Sequence, residues 1–243
     1  MADALALAGG WVVATCVLLA LAWVATEDIP VGTRSVLYGA HAFWLHPWFV
    51  AWAWWKLYGF PWDPRLWVAF FVHDLGYWGS PNMDGEEGER HPEWGAEVVT
   101  RLFDRRWTGK RLWLDEVGHS RAGFGPWGRL VLLHSRFYAK ALGQRPSRLC
   151  IADKLAICLT PAWLYLPMVR ATGEIREYMQ LSRDAGEEGA KYASMDVHDE
   201  REAVWYRNVQ DSLRRWVEEH QDGRPDTWTP DAREARDESG VWS

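Results

Sequence analysis

Apolar residues fill the start of the chain and then recur at helical spacing along most of it. Positions 4–26, ALALAGGWVVATCVLLALAWVAT, carry no charged side chain. About 20 such residues cross a hydrocarbon core as one helix. Gly9, Gly10 and the alanines suit equally a helix buried against a domain, and hydropathy does not separate the two. The stretch lacks a basic n-region and an A-x-A-like cleavage context, so it does not read as a cleaved leader. Residues 1–28 are therefore expected to form an apolar helix, either a membrane anchor or a packed helix. Asp3 and Glu27-Asp28 flank it and leave its orientation open.

Pro30 and Gly32 mark a linker at 29–32. Helical pattern runs over 33–58 with a junction at Pro47, and the two prolines of GFPWDP (59–64) make a turn. A buried helix is expected over 65–75, a polar loop over 76–90, and a helix over 91–103 with Pro92 in its first turn. Residues 105–127 read as an irregular insertion. Helices follow over 128–142 and 147–159, with Pro161 and Pro167 breaking the next stretch. Trp205, Val209, Leu213 and Trp216 give a helix over 201–220, and the polar, acidic residues 221–243 read as a disordered tail. No stretch alternates like a strand. The expected fold is all-α, a helical bundle over 33–180 with a C-terminal helical extension at 181–220.

A chain of 243 residues accommodates one such domain with extras. Its net charge of −6 gives no support to bulk nucleic-acid binding. Cys16, Cys150 and Cys158 form no CxxC pair, which excludes a zinc ribbon and a disulfide scaffold. The chain holds 19 Trp, many of them between Trp44 and Trp78. They suit core packing, a membrane-interface belt or a surface for stacking bases; core packing is the expected use.

The candidate chemistry lies in isolated polar residues within apolar runs. VAFFVHDLGYWG (68–79) ends a buried helix on His73-Asp74. His offers a neutral nitrogen and Asp an oxygen that can bridge two metals. HPWFVAWAWWKL (46–57), GERHPEWGAEVV (88–99), LVLLHSRFYAK (130–140) and SRLCIADKLA (147–156) each bring one more His or Asp. A buried Asp such as Asp153 is costly unless paired or bound to a cation, so several of these on separate helices point to a shared metal site.

The order His46, His73-Asp74, His91, His134, Asp153 resembles the HD-domain superfamily of metal-dependent phosphohydrolases. HDLG, ERHPEWGAE and ADKLA are similar to its local wording, and HPEWGAE to its HD-GYP branch. The resemblance covers residues 34–160. It implies His46, His73, Asp74 and Asp153 around a first divalent metal, and Asp74, His91 and His134 around a second. Mn, Fe, Mg, Zn and Ni remain equally open. It further implies hydrolysis of a nucleotide or other small phosphate ester by a metal-activated water. Arg136, Lys140, Arg148 and Lys154 are the cations nearest in sequence for the leaving charge, with Arg136 and Lys154 the chosen pair. Glu89 is the candidate proton shuttle. Tyr77 stands where many members carry Lys, and no HHE or GYP triplet follows His134, so turnover of cyclic dinucleotides is not expected.

His41 competes with His46 and is expected as a packed or supporting histidine. His119 competes with His134, which is favoured for lying on an apolar helix. His198 and His220 read as surface residues. Tyr77 and Trp78 are expected as pocket wall or core. Two other functions fit the same ligands: a di-iron oxygenase of the HD type, and a non-catalytic nucleotide-binding sensor. The catalytic domain is expected in the cytoplasm, held at the inner membrane if residues 4–26 span it.

Overall fold

The computed structural model describes residues 28–112, 123–184 and 201–229. The expectations for residues 4–26, His119, His198 and the last residues of the tail lie outside these. The described residues form helices α1 (Val31–Tyr38), α2 (His46–Tyr58), α3 (Pro64–Val72), α4 (Glu86–Glu89), α5 (Pro92–Phe103), α6 (Pro126–Leu132), α7 (Arg136–Ala141), α8 (Arg148–Leu159), α9 (Ala162–Thr172), α10 (Glu174–Asp184) and α11 (Glu202–His220). A single 3-10 turn covers Leu75–Tyr77, and one isolated bridge pairs Leu112 with Phe124. The all-α expectation holds for these residues.

The main core gathers Val50, Ala53 and Trp54 of α2, Ala69 and Phe70 of α3, Ala96 and Val99 of α5, Val131 and Leu132 of α6, and Leu149, Ala152 and Ala156 of α8. Small side chains let α2 and α8 lie close, which brings the first turn of α2 beside the middle of α8. Helix α11 adds a second core, with Trp205, Tyr206 and Leu213 against Tyr165, Leu166 and Val169 of α9. Among the described residues no single helix is long and apolar enough to cross a membrane.

Five details depart from the sequence pattern. The segment 33–58 splits into α1 and α2, because Gly39 turns extended (φ −102°, ψ −151°) and the buried Glu174 carboxylate accepts from Ala40 N at 2.8 Å. The stretch 128–142 also splits. His134 sits in the break, and Ser135, extended at φ −75° and ψ 126°, caps α7 by accepting from Tyr138 N. Pro161 ends a helix, but Pro167 lies inside α9; the carbonyl it leaves without a helical donor belongs to the exposed Trp163.

The fourth departure is at the C-terminus. Residues 221–229 pack on the fold: buried Asp226 accepts from Trp216 Nε1 and Trp228 N, each at 3.0 Å, and from the Thr229 hydroxyl. His220 is buried, stacked on Trp216 with ring centroids 4.6 Å apart, and not a surface residue. The fifth concerns tryptophan. Trp54 is buried as expected, but Trp44, Trp48, Trp52, Trp55, Trp62 and Trp78 are between 43% and 83% exposed. Their indoles do not build the core.

Two glycines fix how closely the elements approach. A Cβ on Gly76 would stand 1.9 Å from the His91 carbonyl oxygen, and one on Gly95 would stand 2.4 Å from that of Val72. Both contacts are backbone on backbone, so no side chain can swing away. Gly76→Ala is therefore expected to lower stability by about 2 kcal/mol or more through forced separation of these segments. Urea denaturation with a fixed m-value would measure it.

Candidate metal centre

Five segments deliver six polar residues to one buried place. His46 opens α2, His73 and Asp74 follow the last turn of α3, His91 precedes α5, His134 lies between α6 and α7, and Asp153 is in the middle of α8. All six are buried. They form two groups, each of which could hold a metal ion: His46, His73, Asp74 and Asp153, and Asp74, His91 and His134. Asp74 belongs to both.

The distances show how Asp74 divides. Its Oδ2 lies 3.0 Å from His73 Nε2 and 3.3 Å from His46 Nε2. Its Oδ1 lies 3.2 Å from His134 Nε2 and 3.6 Å from His91 Nε2. Asp153 Oδ1 completes the first group at 2.9 Å from His46 Nε2 and 3.8 Å from His73 Nε2.

Three of the rings are oriented by one repeated device. His73 Nδ1 faces the Phe70 carbonyl at 2.8 Å, His91 Nδ1 the Gly88 carbonyl at 2.6 Å, and His134 Nδ1 the Val131 carbonyl at 2.6 Å. A carbonyl only accepts, so each Nδ1 carries the proton and, in the neutral ring, each Nε2 presents a lone pair. The Nε2 atoms of His91 and His134 then meet at 3.1 Å as two acceptors. No hydrogen bond joins two acceptors; a cation between them relieves the repulsion. His73 Nε2 and Asp74 Oδ2 are likewise buried with no hydrogen-bond partner. Buried polar atoms left unpartnered in this way fit a metal site and fit poorly a hydrogen-bonded core.

Electrostatics set the protonation of the metal-free rings. Burial opposes charge on His73, but Asp74 and Asp153 outweigh it and raise the ring to about 10. His46 is raised likewise, against burial, by its bonds to Asp153 and Asp74. Burial and the neighbouring His134 instead push His91 well below its ordinary value. Asp74 and Asp153 both stay well below the usual carboxylate range against the cost of burial, Asp74 chiefly through His73 and Asp153 chiefly through Lys154.

The surrounding residues fall in different places. Lys154 Nζ holds Asp153 Oδ2 at 2.7 Å, which leaves Oδ1 to the cluster. Arg136 is not among the ligands; its guanidinium lies over the Trp216 ring at 5.3 Å and faces Asp226 Oδ2 at 3.9 Å. Arg148 is exposed over the Tyr58 ring, and Lys140 is half-buried. Glu89 is buried at the end of α4, near enough to the Tyr77 and Tyr138 hydroxyls for its charge to raise both. Tyr77 is core, clustered with Val36 and Met83 and stacked on His91 at 4.0 Å, whereas Trp78 is exposed. In the acidic loop, Glu86 and Glu87 are exposed.

His41 stays outside both groups but is tied to them. Its Nδ1 donates to Ser35 Oγ at 2.8 Å, and Ser35 Oγ donates to Glu174 Oε2 at 2.7 Å. Its ring meets those of His46 and Tyr77 at 5.8 and 4.6 Å. Glu174, fully buried, also accepts from Thr172 Oγ1 and Tyr178 OH. Sequence reasoning missed this supporting residue; its one signal is an acidic side chain directly after the Gly173 that ends α9.

A pH dependence follows from the directions above. His73 lies above its unfolded value, so at pH 7 the metal-free ring carries a proton that a metal must displace. His91 is already neutral there and releases none. Metal affinity is expected to rise with pH, by up to about tenfold per unit, and to fall as pH drops. Calorimetry in two buffers of different ionisation heat should show at least one proton released on metal binding at pH 7. No family model, no curated protein and no solved structure matches this chain.

Proposed function

We propose that the protein is an HD-type metal-dependent phosphohydrolase that uses two divalent ions to cleave a nucleotide or other small phosphate ester. The observation that carries this reading is Asp74, whose two carboxylate oxygens serve different histidine groups within one buried cluster. Metal ions held there would supply Lewis acidity, polarising a phosphoryl oxygen and acidifying a water.

The chain's own residues would then hold the reaction in place. His46, His73 and Asp153 fix one ion and His91 and His134 the other, with Asp74 shared. The Phe70, Gly88 and Val131 carbonyls keep three rings in the productive tautomer. Lys154 neutralises the outer oxygen of Asp153. The role of leaving-charge partner proposed for Arg136 now requires it to act from beside Trp216 and Asp226. Glu89 keeps its proposed proton-shuttle role from the buried position before His91.

Four imidazoles among six ligands favour a transition metal over Mg. The same donor set supports a second reading, an iron-dependent oxidation by O2. Iron content with oxygen consumption would select that reading; activity with Mn alone on a phosphate ester would exclude it.

Substitutions separate the two groups. His134→Ala is expected to lose one ion and keep the other, whereas Asp74→Ala loses both and loses turnover by at least about a thousandfold. Elemental analysis of the purified variants, run beside a phosphatase screen over nucleotides, checks both. Full activity in metal-free Asp74→Ala protein would overturn the proposal.

A further inference from the structure

We infer that the outer face of α2 is a membrane-contact surface, lying in the headgroup region of a lipid bilayer. This concerns the side of α2 away from the metal centre and does not depend on the activity proposed above.

Trp48, Trp52 and Trp55 recur at the i, i+4, i+7 spacing of one helical stripe and are 54%, 43% and 58% exposed. Trp44 and Phe43 extend the stripe before the helix, and Phe60 and Trp62 extend it after. Ring contacts make it continuous in parts: Trp48 with Trp67 and Phe71, Phe49 with Trp52, and Trp55 with Phe60 and Trp62 beyond it. The opposite stripe, Val50, Ala53 and Trp54, is core. A helix apolar on every side is normally covered on every side, and exposed apolar patches of this kind mark interaction surfaces.

Charge and chain order identify the occupant. Ile29 to Trp62 contains no Asp or Glu, in a chain with 33 of them. Its two cations are Arg34, half-buried with its guanidinium beside Gly173, and Lys56, whose Nζ lies 5.2 Å from the Trp52 ring centre, a long stem across an aromatic surface with its charge at the edge. Two cations are few for a nucleic-acid backbone. An acid-free stretch with Lys56 at its edge suits an anionic headgroup layer, where indoles also find both apolar tails and water for the N–H. An aliphatic protein partner would instead bury those N–H groups. The uncharged stretch 4–26 ends just before Glu27-Asp28, and α1 is the one helix between it and this face in the chain. Trp44 Nε1 donates to Leu37 O at 2.8 Å and Phe43 N to Val36 O at 2.9 Å, which join the start of the stripe to α1.

The test uses the full chain on vesicles of phosphatidylcholine and phosphatidylglycerol. An environment-sensitive fluorophore is placed at Trp52→Cys or, as control, at Arg101→Cys on the exposed side of α5. Both carry Cys16→Ala; Cys150 and Cys158 are buried. Vesicles are expected to abolish iodide quenching at position 52 and allow quenching there by lipid-borne nitroxide, with position 101 unchanged. Iodide access at 52 equal to that at 101 on vesicles overturns the inference, even where residues 4–26 retain the chain on the lipid. Shielding at 52 before vesicles are added also overturns it, since residues 4–26 or a second copy would then cover the face. Hydroxyl-radical footprinting of the unaltered chain guards against a misfolded variant: vesicles should protect the tryptic peptide 35–56 and not the peptide 91–101 with exposed Trp94. Equal oxidation of 35–56 with and without vesicles counts against the surface.

Discussion

The buried Asp74 carboxylate is the constraint around which the rest is arranged. A lone carboxylate in an apolar interior costs several kcal/mol, and a second one, Asp153, lies in the same place. Compensation comes from the adjacent His73, from imidazoles brought by three other segments, and from Lys154 on the far side of Asp153. Each oxygen of Asp74 faces a different pair of nitrogens, so displacement toward one pair weakens the other.

Such a site needs close backbone approach and fixed ring orientation, and the fold supplies both locally. Gly76 allows His91 to lie directly on the turn after α3, and Gly95 allows the first turns of α5 to lie on the end of α3. Each of three histidines is held by the carbonyl three residues before it, which needs only a helical or turn backbone at that point. The orienting partner therefore travels with the ligand. The breaks at Gly39 and Ser135 matter for the same reason: they put His46 at the first turn of a new helix and His134 in a turn. Both orient a ring into the interior where a continuous helix would carry it past.

The candidate ligands were legible in the sequence because each stands alone in an apolar run, where a polar residue without a purpose is costly. The helix at 91–103 and the one at 201–220 were legible from periodicity and Pro92. The breaks were less so, since apolar pattern continues across them and the deciding contacts are distant or subtle. Glu174 shapes the turn before α2 from the other end of the domain, and nothing near His46 announces it. Asp226 was hidden in a polar segment, although Trp228 beside it was a visible anchor: its indole donates to Glu219 at 2.9 Å. Tryptophan misled for a physical reason. Hydropathy assigns an indole the same value on either side of a helix, and α2 has them on both.

The spread of the ligands along the chain has a consequence for how the protein is made. His46 must meet Asp153, more than a hundred residues later, and Arg136 beside His134 faces Asp226 from near the end of the described chain. Contacts of such separation form late and slowly. During synthesis His46, His73 and Asp74 emerge well before the α8 carboxylate that completes their group. A nascent chain therefore passes through a stage in which half of the candidate metal-binding set is exposed, open to the wrong ion or to a protein that shields it.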